Sequence, residues 1–442
     1  MNYVDLIVKA DYVLTMDQDL AVIEGGAIAI KDKQIVAVDT AEQITQRYAA
    51  PRIISGEGTV AFPGLINTHT HAAMVYFRGL ADDLPLKVWL EEHIWPAEAK
   101  WLSPEFVGDA VELACLEMLK AGITAYADMY FFGNAVARST RKIGMRAVVG
   151  SGVVDFPSAT GTNADDYLAN ADRFIREWKG DDLIVPSIAD HSAYACSPET
   201  LKKSKALADQ HDVILQIHLS ETGWEVNEML SRYGRRPVAH LDSLGLLDER
   251  LIAAHCVWLE PDEIDLLAGS KTNVSHCIES NLKLASGIAP VVKMLQSGVN
   301  VSFGTDGAAS NNNLSILSEM STAAKVHKAV AGDPTALSAK QAMLMATRRG
   351  AEALGLGSLC GSIEPGKAAD IVIADLRKPH LIPLYDIYSH LVYSMNAADI
   401  DTVLVAGRVV IEHGVLTTVD EAEIIAKATV WSGRIREGHS HS

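Results

Sequence analysis

Cysteine is scarce, positive charge is outnumbered and long apolar runs are missing, and each lack removes a class of protein. The five cysteines (Cys115, Cys196, Cys256, Cys277, Cys360) are odd in number, scattered and never arranged as CxxC. They point to reduced thiols in a cytosolic protein rather than a disulfide framework. Lys+Arg 38 against Asp+Glu 56 leaves a net charge of -18. Such a surface repels polyphosphates and anionic membranes, so neither nucleic acid nor membrane is an expected partner. No uninterrupted run of about 18 apolar residues occurs, and no charged segment followed by an apolar one opens the chain. A soluble, cytoplasmic protein is the expectation. Asn273, Asn300 and Asn313 each begin an N-x-[ST] triplet, which without a secretion signal is coincidence. Gly438–Ser442, which contains two histidines, reads as a tail and stays outside any metal argument.

What is present is an ordinary globular composition, 48% hydrophobic and 21% charged over 442 residues. Length alone suggests roughly three domains of about 150 residues, yet a single (β/α)8 barrel with insertions can occupy about 250 to over 400. Up to about Val60 the pattern is short and alternating, as in Leu6-Ile7-Val8-Lys9-Ala10 and Gln34-Ile35-Val36-Ala37-Val38, and reads as a small β domain. Beyond it, apolar runs alternate with helical stretches, the rhythm of βα units and a parallel sheet. Eight such runs can be counted: 60–66, 123–129, 146–154, 183–189, 213–219, 251–256, 272–277 and 299–304. After the helical segment 339–354, strand patterns return at 369–374, 402–406 and 408–411.

The expected fold is therefore α/β: a (β/α)8 TIM-like barrel over 61–361, with 1–60 and 362–442 supplying the two parts of a composite β-sandwich and the C-terminal segment. Neither end is long enough for a secure core of its own.

The chemistry starts at Pro63-Gly64-Leu65-Ile66-Asn67-Thr68-His69-Thr70-His71. Side chains i and i+2 of a strand share a face, so His69 and His71 offer two nitrogen donors from one strand end, suited to zinc or a similar divalent ion. An isolated HxH would be a surface coincidence. In a parallel barrel, however, functional groups gather at the C-terminal ends of strands. Reading only those ends adds His191, His218, Glu221, His255, His276 and Asp306. Glu221 lies three residues beyond His218, on the opposite face of an ideal strand or in the following loop, which suits a proton shuttle better than a ligand. Alone, His255 would pass for a hydrogen-bonded core histidine and Asp306-Gly307 for a turn. Their recurrence at successive strand ends argues for one site.

The segments PGLINTHTH, QIHLSET, AAHCV, SHCIESNLKL and GTDGAASNN, with GSIEPGKAADIVIADL near the C-terminus, together resemble the amidohydrolase superfamily over essentially the whole chain. Within it the chain is most similar to the deaminases of 5′-methylthioadenosine and S-adenosylhomocysteine, with the s-triazine hydrolases close by. The resemblance implies one divalent metal ion held by His69, His71, His218 and Asp306, with Glu221, His255 and Asp306 as catalytic groups. Zinc suits this set best, although iron and manganese accept it too. Binuclear relatives carry a lysine on the fourth strand, and Leu183–His191 has none, so a single ion is implied.

For substrate, the resemblance places Trp89, Glu98, His191 and Glu221 against a nucleoside, Glu98 as the acceptor for ribose hydroxyls. The implied reaction is hydrolysis of the 6-amino group of an adenosine-type nucleoside, releasing ammonia, in a homo-oligomer. Two departures bear on the substrate: Ala189-Asp190 stands where the family has Gly-Pro, and 156–172 holds no arginine to meet a homocysteine carboxylate. A carboxylate buried without a cation is costly, so methylthioadenosine or adenosine is expected over S-adenosylhomocysteine, unless an arginine enters from another loop or subunit. The alternatives are another amino-heterocycle hydrolase, acting on guanine, a pterin or a triazine, and a non-catalytic scaffold on the same fold.

Overall fold

The computed structural model describes residues 2–439, so the end of the tail set aside above lies outside it. Contacts divide the chain into two compact units. One takes residues 1–67, 116–125 and 315–419, the other 68–115, 126–314 and 420–442. Among the described residues no helix is long and apolar enough to cross a membrane.

In the first unit, strands from both chain ends form one hydrogen-bonded sheet of nine strands. Thr59–Pro63 is the seam: it runs parallel to Leu6–Leu14 and antiparallel to Ile371–Asp375, with Phe62 opposite Val372. Period-two alternation sorts the side chains. Leu6, Val8, Ile28 and Ile30 join Ile371, Ile373 and Leu404 in one core, while Ile7, Ala27 and Ala29 pack with Ile44 of the helix Ala41–Arg47 in another. The ends are thus stabilised by each other.

The apolar run 60–66 is broken in the structure rather than continuous. Thr59–Pro63 stays with the nine-stranded sheet, and the barrel strand starts at Leu65. Gly64 is the joint: a Cβ there would lie 1.9 Å from Thr124 Oγ1 and 2.6 Å from its Cβ. Because a β-branched neighbour has no free rotamer to move into, Gly64→Ala should cost about 1–3 kcal/mol as overpacking. A thermal unfolding midpoint equal to that of the parent would contradict this.

The barrel strands are β1 (Leu65–Thr70), β2 (Ile123–Tyr130), β3 (Arg146–Val153), β4 (Ile184–Ser192), β5 (Leu215–Leu219), β6 (Leu251–His255), β7 (Asn273–His276) and β8 (Asn300–Phe303). They pair side by side in chain order, and the pairings from β3 to β8 are all parallel. The sheet also meets itself. The Asp306 amide donates to the His69 carbonyl (3.0 Å) and the Thr70 hydroxyl to the Asp306 carbonyl (2.8 Å). Thr68 Oγ1 bridges Ser275 (2.7 Å) and Ser302 (2.8 Å). Gly304 permits this approach, since a Cβ there would sit 2.9 Å from the His69 carbonyl oxygen.

The C-terminal helix Glu421–His439 groups with the barrel unit, not with the nine-stranded sheet. Lys427 bonds to Asp109 and Glu112 on the helix Pro104–Lys120, both at 3.0 Å, and Trp431 meets Phe106 edge to face.

Candidate active site and metal centre

Every strand-end group named from the sequence lies in the barrel unit, and most converge. His69 Nε2 and His71 Nε2 stand 3.5 and 3.2 Å from Asp306 Oδ1, and His218 Nε2 is 3.2 Å from His71 Nε2. Donor atoms of His69, His71 and Asp306, and separately of His69, His218 and His255, fall within 4.8 Å of one another. By distance alone His255 is either a further donor or a neighbour of the ion. Its Nε2 faces Glu221 Oε2 at 3.8 Å while Nδ1 meets Asn281 Oδ1 at 2.9 Å.

The supporting bonds orient the donors. His71 Nδ1 donates to the Met129 carbonyl (2.5 Å) and His218 Nδ1 to the His191 carbonyl (2.7 Å). A carbonyl can only accept, so in each neutral ring the proton sits on Nδ1 and the Nε2 lone pair faces the centre, as metal-ligating histidines require. Asp306 Oδ2 accepts from Ser280 (2.6 Å) and Ser310 (2.9 Å), and Oδ1 also accepts from the Gly307 amide (2.8 Å). The donor set fits a divalent cation such as zinc, with imidazoles and one carboxylate aimed at a common point.

The electrostatics agree. Burial works against charge on His71, but hydrogen bonding and attraction from Asp306, with the Met129 carbonyl, raise it to about 9. Burial likewise opposes ionisation of Asp306, and hydrogen bonds from His69 and His71 with the charges of His255 and His71 nevertheless hold it well below the carboxylate range. Burial lowers His69 to about 4 and takes His218 well below the imidazole range. The cluster therefore favours a localised positive charge while keeping its other imidazoles neutral, the form that ligates.

A cavity of about 410 Å³ opens onto this centre. Trp89, Glu98, His191, Glu221 and His255 line it, so all four residues expected to contact substrate face one space. Trp89 starts the turn Trp89–Ile94 and is buried. Glu98, also buried, accepts from the Tyr130 hydroxyl at 2.6 Å. Desolvation raises it to about 7 against that bond. Burial also raises Glu221, and it lowers His191 to about 4. Glu221 sits beyond the end of β5, as its spacing from His218 required. His276 does not join: its ring lies against Phe303, and neither converging donor group includes it.

Several contributors escaped the sequence reading. Ser280, Asn281 and Ser310 lie inside SHCIESNLKL and GTDGAASNN without having been given roles, and Tyr130 ends β2, where the strand-end rule would have found it.

Comparison with known proteins places this architecture. The Amidohydrolase family profile matches residues 60–410. A 5-methylthioadenosine/S-adenosylhomocysteine deaminase of Thermodesulfovibrio yellowstonii is 56% identical over 432 residues, covering 97% of this chain and 98% of that one. A 5′-deoxyadenosine deaminase of Methanosarcina acetivorans is 45% identical over 426 residues, 96% of each. The crystal structure of a zinc-bound adenosine deaminase from Xanthomonas campestris superposes with a TM-score of 0.97 at 42% identity, covering 99% of both chains. With a family profile spanning the barrel and relatives matching nearly end to end, this chain belongs to the amidohydrolase family.

Proposed function

We propose that this chain is a metal-dependent hydrolytic deaminase that converts the 6-amino group of an adenosine-type nucleoside to the inosine-type lactam plus ammonia. The observation that carries it is the meeting of the His69, His71, His218 and Asp306 donors beside a cavity that Glu221 and His255 also line. The names of the relatives point to the same reaction. We assign the ion to those four residues. The protein acts as a homo-oligomer, as the family resemblance implies, and in the cytoplasm, as its charge and scattered cysteines suggest.

A bound divalent ion would supply Lewis acidity, bringing the pKa of water at the site toward about 7. The chain's own groups do the rest. Asp306 and His255 orient the attacking water and share the proton it loses. Glu221, its pKa raised by burial, gives its proton to the ring nitrogen beside the carbon under attack, then passes the proton removed from water to the departing amino group, and is restored by the proton that the adduct hydroxyl gives up as the lactam carbonyl forms. Water thus adds across the C=N bond, the C–N bond to the amino group breaks, and ammonia leaves. Glu98, held by Tyr130, accepts from the ribose hydroxyls, and Trp89 and His191 pack beside the nucleoside.

The 5′ substituent is discriminated by what the cavity offers. Among the residues lining it there is no lysine or arginine, whereas Phe156, Pro157, Leu102 and Trp95 supply apolar wall. A homocysteine carboxylate would enter without a cation, and leaving such a charge unpaired costs several kcal/mol when buried. Ammonia release should therefore give a kcat/KM for methylthioadenosine, 5′-deoxyadenosine or adenosine at least about tenfold above that for S-adenosylhomocysteine, about 1.4 kcal/mol in the transition state. Guanine, a pterin and a triazine complete the panel. Preference for one of them would overturn the substrate assignment, and no turnover of any would favour a scaffold.

A further inference from the structure

The loop after β5 reads Ser220-Glu221-Thr222-Gly223-Trp224-Glu225, and Thr222-x-x-Glu225 has the form of a capping box, in which the later glutamate returns to the amide of the capping threonine. Only half of that box forms. Thr222 Oγ1 accepts from the Glu225 amide (3.1 Å), capping the helix Gly223–Tyr233. The Glu225 carboxylate reaches past the cap: Oε1 accepts from the Ser220 amide (2.9 Å) and Oε2 from the Glu221 amide (2.8 Å). Glu225 is 1% exposed, so this is a carboxylate sequestered beneath the loop and spent wholly on backbone.

The loop it grips is held in an unfavourable shape. Ser220 has φ of +51°, a left-handed conformation that non-glycine residues adopt only where surrounding contacts impose it. Its carbonyl is tied from the other side by the amides of Val257 (3.0 Å) and Trp258 (2.9 Å). Those residues follow His255 and Cys256, themselves left-handed at +72° and +50°. One turn thus links the loop that carries Glu221 to the strand end that carries His255. Its carbonyl is fixed by the β6 loop and its two amides by Glu225.

We propose that Glu225 is a positioning residue: by binding the amides of Ser220 and Glu221 it fixes the backbone from which the Glu221 carboxyl reaches over the site toward His255. The proposal rests on the reading of Glu221 as the proton carrier. Glu225 touches no reacting atom. Two hydrogen bonds to consecutive amides hold a loop more rigidly than the single bond of an ordinary capping box.

Glu225→Gln keeps the side-chain shape but leaves one acceptor oxygen and turns an amide donor against the second N–H. Glu225→Asp keeps the charge but falls one methylene short, and serves if the glutamine variant does not fold. With methylthioadenosine as probe and zinc content measured in parallel, kcat should fall about 10²-fold, the usual effect of a catalytic group displaced by about 1 Å. KM and zinc content should hold. In a Glu221→Gln background the same substitution should add little, because two residues acting as one unit are non-additive. Equal losses in both backgrounds, an effect confined to the melting temperature, or an unchanged kcat would each overturn the proposal. Full turnover by Glu221→Gln alone would instead remove the reading of Glu221 on which it rests.

Discussion

Asp306→Asn is expected to lower the zinc content of the purified protein after dialysis and to reduce kcat at least about 10³-fold. The choice of asparagine matters. Asp306 sits at φ of +61°, where asparagine is among the few side chains that settle readily. The backbone bond from the Asp306 amide to the His69 carbonyl should therefore survive. Only the charge and one acceptor are lost.

That loss is felt in several places. Oδ1 is the atom shared by His69 and His71, and it lifts His71 to about 9 in the absence of an ion. Oδ2 receives the Ser280 and Ser310 hydroxyls, which an amide nitrogen in that position cannot accept. Among the four assigned ligands Asp306 is the single anionic donor, so the variant presents a wholly neutral set to a dication. Metal analysis after dialysis, alongside ammonia release, reads both effects. A variant that keeps one equivalent of zinc and parental turnover would sink the assignment of Asp306.

The expected and observed structures part company at instructive places. The convergence of the strand-end residues was legible because a parallel barrel converts a sequence feature, polar residues ending apolar runs, into a spatial one, shared position at one rim. His69, His71, His218, His255 and Asp306 all sit at or just past a strand end, so reading strand ends located them. The break at Gly64 was hidden for the complementary reason: Thr59–Pro63 and Leu65–Thr70 are both fully buried, and burial erases the alternation that marks where one sheet stops and another starts.

The partners that orient the site were also out of reach. Glu98 meets Tyr130 across 32 residues, His255 meets Asn281 across 26, and Thr68 meets Ser302 across 234. Spacing says nothing about such pairs until the barrel brings them together. Glu225 is the converse case: its motif invites a capping explanation, and the carboxylate instead binds the Ser220 and Glu221 amides.

Glu221→Gln should separate metal binding from proton transfer. Glu221 lines the cavity, 3.8 Å from His255 Nε2, and belongs to neither converging donor group, so zinc content should match the parent. Burial raises its pKa, the first effect acting on it, and proximity to His255 works the other way. A carboxyl can deliver a proton to the ring nitrogen and carry the next one to the leaving amine; an amide of the same shape can do neither. Loss of general acid–base catalysis costs about 10²–10⁴ in rate, and because the side chain keeps its volume, KM should change far less than kcat. If Glu221 served only to orient the substrate by hydrogen bonding, glutamine would retain much of that function and kcat would fall less than about tenfold. A variant with full zinc and a loss of that small size would therefore move the proton-carrying role to His255, whose Nε2 lies 3.8 Å from Glu221 and which lines the same cavity.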